Sequence, residues 1–281
     1  MSPYILKERQ IRLLELYCFL RILQQMDITQ ETSHTNGGEN SKLGKCLIPN
    51  LIDYDQFYAY LDKPKASCIK KEQVGGVLHK TNALDGDKWV CFDKGFKPDN
   101  CVVYSFGINN EWSFDDAMDQ KHHCKVFAFD PTMRDKDHKR SQRISFFNLG
   151  ISDYKGYTVM GGRKCTMDRY RGIVEKLGHS YTTVCVISIN APRRSLLAAR
   201  DILLQSLGSI NSIGQITFIK LSSPIGEMVS QLFKDFWDIF HRLECHGWRL
   251  LNAEMNQVAI NHFRFRGVLR SQCYEVVFIK S

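Results

Sequence analysis

From Cys101 onward, short apolar runs alternate with stretches of helical period, and that alternation restricts the chain to a sheet wound by crossover helices. Residues 101–106 read as a buried strand, Gly107 as a turn, and Ser113 with Asp116 as a capping box that opens a helix. Residues 125–130 make a second strand stopped by Pro131, and 144–149 a third. Strands joined by such crossovers lie parallel. A helix is expected from about Met167, with Tyr170, Ile173, Val174 and Leu177 on one face and Gly178 at its end. Next come a central strand over 183–189, a helix over 196–207 and a strand over 215–221. Ser223 and Pro224 suit the N-cap and first position of a long helix carrying Val229, Leu232, Phe233, Phe236, Trp237 and Phe240. Strands over 248–253 and 273–280 follow with no helix between them, so they pair antiparallel.

The 281 residues suffice for one α/β domain with an appendage, read as an N-terminal helix and linker extension over 1–66 and a main domain over 67–281. Within the extension, Lys7 to about Gln25 has helical spacing, and 27–43 is a polar linker. The net charge of +8 would suit an anionic partner, but the basic groups at 136–143, Arg193 with Arg194, and 264–270 are dispersed, so nucleic acid is not expected. The apolar patch at Tyr17, Cys18 and Phe19 is closed in by Glu15 and Arg21, too short for a membrane span. With no secretory segment visible, the cytoplasm is favoured, with a lumenal or secreted site as the alternative. Ten cysteines without a CxxC pair argue against structural zinc, and no metal is expected. Cys124 and Cys185 read as small core hydrophobes, whereas Cys68, Cys91 and Cys101 border loops and suit pairing in an oxidising lumen; the reduced state is favoured.

A dinucleotide site needs G-x-G-x-x-G so that backbone amides approach the pyrophosphate. Here the first turn carries Gly107 alone, which favours S-adenosylmethionine, a ligand without phosphate, over NAD. Asp130 stands at the end of the second strand, where a carboxylate in an open cleft accepts both ribose hydroxyls. The histidines offer neither a nucleophile pair nor a ligand set: His122 and His123 end a helix, and His241 and His246 lie on the long one.

The segments CVVYSFGINNEWSFDD (101–116), FAFDPT (127–132) and NLGISD (148–153) resemble the methyltransferase-like protein 24 family, a branch close to FkbM-type methyltransferases. DGDKWVC (85–91) is similar to that family's lead-in, and the likeness is dense from about Cys68 to His179. The resemblance implies a Rossmann-like class I methyltransferase fold that binds S-adenosylmethionine. It places Gly107, Asn109 and Glu111 at the methionine end, Asp130 at the ribose, and Asn148, Leu149 and Gly150 at the adenine. Trp112, Ser188 and Asn190 fall on the substrate side. The chain departs from the family at the fourth strand, where a D-x-E-G motif is replaced by Ser188, Ile189, Asn190 and Ala191, followed by Pro192, Arg193 and Arg194. Neither Ser188 nor Asn190 takes up a proton readily near neutral pH. The expected function is therefore O-directed methyl transfer to an unknown small-molecule or glycan-like acceptor, with no catalytic residue assigned. The alternative is a catalytically inactive binding module.

Overall fold

The computed structural model describes residues 46–78, 83–93, 96–97, 100–190, 198, 200–202, 213–219, 230–257, 262–271 and 273–281. The first elements are α1 (Tyr54–Leu61), β1 (Lys71–Val74), β2 (Val77–Leu78), β3 (Leu84–Asp85) and β4 (Lys88–Cys91). The winding region holds β5 (Val102–Phe106), α2 (Ser113–Gln120), β6 (Lys125–Phe129), β7 (His138–Lys139), β8 (Ile144–Phe147), β9 (Gly150–Ile151), β10 (Gly156–Met160), β11 (Arg163–Asp168) and α3 (Tyr170–Lys176). It continues with β12 (Val184–Ile189) and β13 (Ile213–Ile219), and the chain closes on α4 (Gln231–Cys245), β14 (Trp248–Met255), β15 (His262–Phe265), β16 (Val268–Ser271) and β17 (Tyr274–Lys280).

Eight strands form one sheet in the order β14-β17-β13-β12-β5-β6-β8-β7. The run from β13 to β8 is parallel, while β17, β14 and β7 each lie antiparallel to a neighbour. This is the mixed α/β class expected of the chain, with its closing antiparallel pair in place. Every residue of β5 is buried, as suits a central parallel strand covered on both faces. One face packs Tyr104, Phe106, Ile187 and Ile189 against Phe57 of α1 and Phe233 and Phe240 of α4. The other packs Val103, Val126 and Val186 against Val90 of β4 and Phe114 and Met118 of α2.

Several expectations need correction. The 113/116 capping box is not formed: Trp112 is the N-cap of α2, and the Ser113 hydroxyl accepts from Gly76 N–H at 2.7 Å. Met167 belongs to β11, and the helix expected from it begins at Tyr170. The helix α4 starts after an extended Ser230, so the proposed cap at Ser223 and Pro224 does not open it; those two residues and Val229 lie outside the described ones. The expected N-terminal helix and linker, and most of the 196–207 helix, also lie outside them; Ala198 and residues 200–202 are helical. Unforeseen were α1, capped by Asp53 Oδ1 accepting from Gln56 N–H at 2.8 Å, and the exposed β10–β11 hairpin.

Six cysteines are paired, as Cys46–Cys245, Cys68–Cys91 and Cys101–Cys124, which overturns the reduced state for these thiols. Cys124 is not a free core hydrophobe. The register of β5 with β6 sets Val102 opposite Lys125, so the residues preceding them, Cys101 and Cys124, stand side by side. Cys165 and Cys185, with Cys273, remain thiols among the described residues. No described helix is long and apolar enough to cross a membrane.

Candidate functional site

The carboxyl ends of parallel strands and the turns that leave them form the natural ligand edge of such a sheet. At the end of β5 the chain reverses through Gly107 (φ 85), Asn109 (φ 48) and Asn110 (φ 60). Left-handed backbone at two asparagines is tolerated because their short amide side chains bond locally. Gly107 N–H donates to Phe129 O at 2.8 Å, and Asn109 N–H donates to Asp130 Oδ2 at 2.7 Å, so the turn is fastened to the end of β6.

Asp130 is 3% exposed. Its Oδ1 accepts from Thr132 N–H at 2.7 Å and from the Thr132 hydroxyl at 2.6 Å. The expectation of a carboxylate standing in an open cleft is therefore corrected: three protein donors already hold it, and room for a ligand hydroxyl is confined to the second lone pair of Oδ2. Glu111, next along the turn, accepts from Ser113 N–H at 2.8 Å. Its carboxylate lies against Gly86 (φ 88), where a Cβ would come within 2.0 Å of Glu111 Oε2. Only glycine admits that contact, which joins the β3–β4 loop to the turn after β5.

The remaining sequence candidates disperse. Trp112 is core, edge-on to Phe146 at 5.8 Å between ring centroids, with the Arg140 guanidinium 4.4 Å over its ring. Asn148 spends its amide on the loop before it, donating to Met133 O at 2.9 Å and Asp135 O at 2.8 Å. Leu149 is buried in the main core, and Gly150 is confined by packing, since a Cβ there would meet Met167 Sδ at 2.6 Å and Pro131 Cγ at 2.8 Å. Ser188 is 2% exposed inside β12, beside Ser105 and Thr217 in register. Asn190 stands at the strand's end, its N–H donating to Phe106 O at 2.8 Å. The structure thus brings together Gly107, Asn109, Glu111, Asp130 and Asn190.

Four residues that the sequence did not single out extend from this set: Asp115, beside Glu111, then Lys88, and beyond Lys88 the acids Glu275 and Glu254. Lys88 Nζ donates to Asp87 O at 2.7 Å and Gly86 O at 3.1 Å, and lies 3.8 Å from Glu275 Oε2. Burial pushes Asp115 and Glu275 up to about 7, reinforced by Glu111 on the first and by Asp87 and Glu254 on the second; Lys88 opposes the rise in both. The one sequence signal was the D-G-D of residues 85–87, whose glycine touches Glu111. His122 is not a helix-end cation: it stacks on Phe92 at 4.1 Å, and burial lowers its pKa.

A family model described as a methyltransferase domain matches residues 49–280. No curated protein matches the chain. Among solved structures the chain is similar to CalO1, a methyltransferase in calicheamicin biosynthesis in its SAH-bound form, at 12% identity and a TM-score of 0.33. That likeness covers 66% of this chain and 51% of the other, so the chain spans about half the length of that structure.

Proposed function

The chain belongs to the methyltransferase-domain family, and from that premise we propose that it transfers the methyl group of S-adenosylmethionine to an oxygen of a small-molecule or glycan-like acceptor. The observation that carries the reading is the left-handed turn from Gly107 to Asn110 at the carboxyl end of β5, tied through Asn109 N–H to the buried Asp130. The residues fit this group. A single-glycine turn admits a ligand lacking phosphate, Glu111 supplies a carboxylate for its ammonium end, and Asp130 Oδ2 retains one acceptor site for a ribose hydroxyl. When bound, S-adenosylmethionine would supply an electrophilic methyl on positive sulfur, with Glu111 facing its ammonium end and Asp130 its ribose. The chain's own part is to align the two partners, and alignment alone lowers such barriers by several kcal/mol. Three disulfides support an oxidising compartment, lumenal or extracellular, in place of the cytoplasm.

Calorimetry with S-adenosylmethionine and with S-adenosylhomocysteine tests cofactor use, and folded protein giving no heat at high micromolar ligand would sink it. A screen of sugars, lipids and small hydroxylated molecules for labelled methyl uptake then tests the acceptor class. A second reading, a cofactor-binding module without catalysis, is favoured by the strand end itself, where Ser188 is buried and Asn190 replaces an acid. Asn190→Glu places a carboxylate at the half-exposed position. On the second reading it creates turnover absent from the native chain.

A further inference from the structure

The chain carries a net charge of +8, yet acids gather around Lys88, from β17 at the carboxyl edge of the sheet to the first turn of α2. Pairing of β17 with β13 and β14 sets Glu275 opposite Ile219 and Glu254, at the carboxyl end of the parallel strands. The β4 strand crosses beneath them. Its Trp89 N–H donates to Glu275 Oε1 at 3.2 Å, and the Trp89 indole donates to Glu254. From the other side the first turn of α2 contributes Asp115, which is 2% exposed. Ser105 is its side-chain hydrogen-bond partner, and its charged neighbours include Glu111 and Lys88. Asp115 Oδ1 is buried with no hydrogen-bond partner.

Lys88 is the cation inside this group, and it is half spent on the backbone carbonyls of Gly86 and Asp87. Arg140 also acts on Asp115, but its guanidinium is taken by Asp116 through two hydrogen bonds of 2.8 Å. Among the described residues, Asp87, Glu111, Asp115, Glu254 and Glu275 therefore gather around Lys88, while Lys71 lies 4.7 Å over the Trp89 ring. A buried carboxylate with one oxygen left unpartnered, as at Asp115 Oδ1, is costly unless it stays protonated or a cation arrives. Glu111 belongs both to this cluster and to the turn, through its contact with Gly86, so a cation held in the turn lies within the cluster's field.

We propose that the acid cluster around Lys88 selects a sulfonium-bearing ligand in the adjoining turn over its neutral thioether product. The inference rests on the reading that this turn binds S-adenosylmethionine. The attraction acts on the positive sulfur and vanishes when the methyl leaves, because the sulfur is then neutral. Product is thereby held less firmly than cofactor without any hydrogen bond to sulfur, which a thioether accepts only weakly. The elevated pKa values of Asp115 and Glu275 agree with acids awaiting a cation.

The test is the ratio of the calorimetric Kd values for S-adenosylhomocysteine and S-adenosylmethionine, measured in the native chain, Glu275→Gln, Glu254→Gln and Asp115→Asn. At pH 8 the native chain binds S-adenosylmethionine the more tightly, and neutralising Glu275 shrinks the ratio by roughly three- to tenfold, the scale of one partly screened unit charge. Lowering the pH to 6 shrinks it in the native chain and less so in Glu275→Gln. That difference between the two proteins is the quantity read, because the ligand's own amino group titrates near the same range. A ratio unchanged by Glu275→Gln, or equal loss of both affinities, overturns the proposal. Binding of neither ligand to folded native chain overturns the cofactor reading beneath it. Should Asp115→Asn fail to fold, the two glutamate variants and the pH series still decide.

Discussion

Three donors converge on the Asp130 carboxylate, and removing it leaves the Asn109 and Thr132 N–H groups and the Thr132 hydroxyl without their acceptor. Asp130→Ala is therefore expected to lower stability by about 2 kcal/mol and to weaken S-adenosylmethionine by at least about tenfold. Melting temperature and calorimetric affinity, both measured on this variant, check it. A lower melting temperature with intact affinity would reduce Asp130 to a turn residue, and an intact melting temperature with lost affinity would show that its loop bonds contribute nothing. Asp130 was legible because strand, turn and carboxylate occur at short range in one order. Its burial was not, since that depends on Asn109 folding back left-handed to meet it. Lys88 and Glu275 were illegible for a stronger reason: their meeting needs β4 laid under the final strands, which no local pattern encodes.

Among elements, the parallel strands were legible because β5, β6, β8 and β12 are apolar over nearly their full length, as strands covered on both faces must be. The β1–β4 ribbon was not, because β1 is polar but for Val74, and in β4 a lysine, Lys88, takes a buried position while Trp89 takes a half-buried one. Helix α1 escaped notice because its eight residues carry four aromatic rings, which break the usual aliphatic pattern. The ribbon, α2 and β17 together impose a pH dependence. Asp115 and Glu275 are raised from ordinary values of 3.8 and 4.5 to about 7, so between those limits the folded chain binds more protons than the unfolded one. Stability from these two groups is thus present at low pH, declines as pH rises through this window, and is fully lost above about 7. The half-buried His122, His179 and His246, whose pKa values are lowered, act in the opposite sense. The quantity to measure is accordingly the difference in urea stability between the native chain and Glu275→Gln at pH 5.5 and pH 8. The variant should lose less stability on going to the higher pH, and equal losses would show that Glu275 is not desolvated.

At the scale of the whole molecule, the disulfides divide their work by the length of chain they close. Cys68–Cys91 and Cys101–Cys124 each span a sequence separation of 23, the first pinning the β1–β4 ribbon and the second the start of β5 to the start of β6. Cys46–Cys245 spans 199 and ties the chain ahead of α1 to the last residue of α4. Loop-closure entropy grows with the logarithm of that length, so the long bridge disfavours the unfolded chain by about 5 kcal/mol and each short one by about 3 kcal/mol. The long bridge also acts locally. It seals the edge of the aromatic layer in which Tyr60 of α1 stacks on Phe240 of α4 at 5.9 Å between ring centroids, and the Trp237 indole Nε1–H donates to Pro49 O at 2.6 Å. Cys46→Ser with Cys245→Ser should therefore lower the melting temperature more than Cys68→Ser with Cys91→Ser. The ribbon variant should instead show the larger loss of S-adenosylmethionine affinity, because Gly86 and Lys88 travel with the ribbon. Thermal unfolding and calorimetry on the two double variants separate these effects. Equal changes in both quantities would mean that the bridges act on the unfolded chain alone and that the ribbon takes no part in the site.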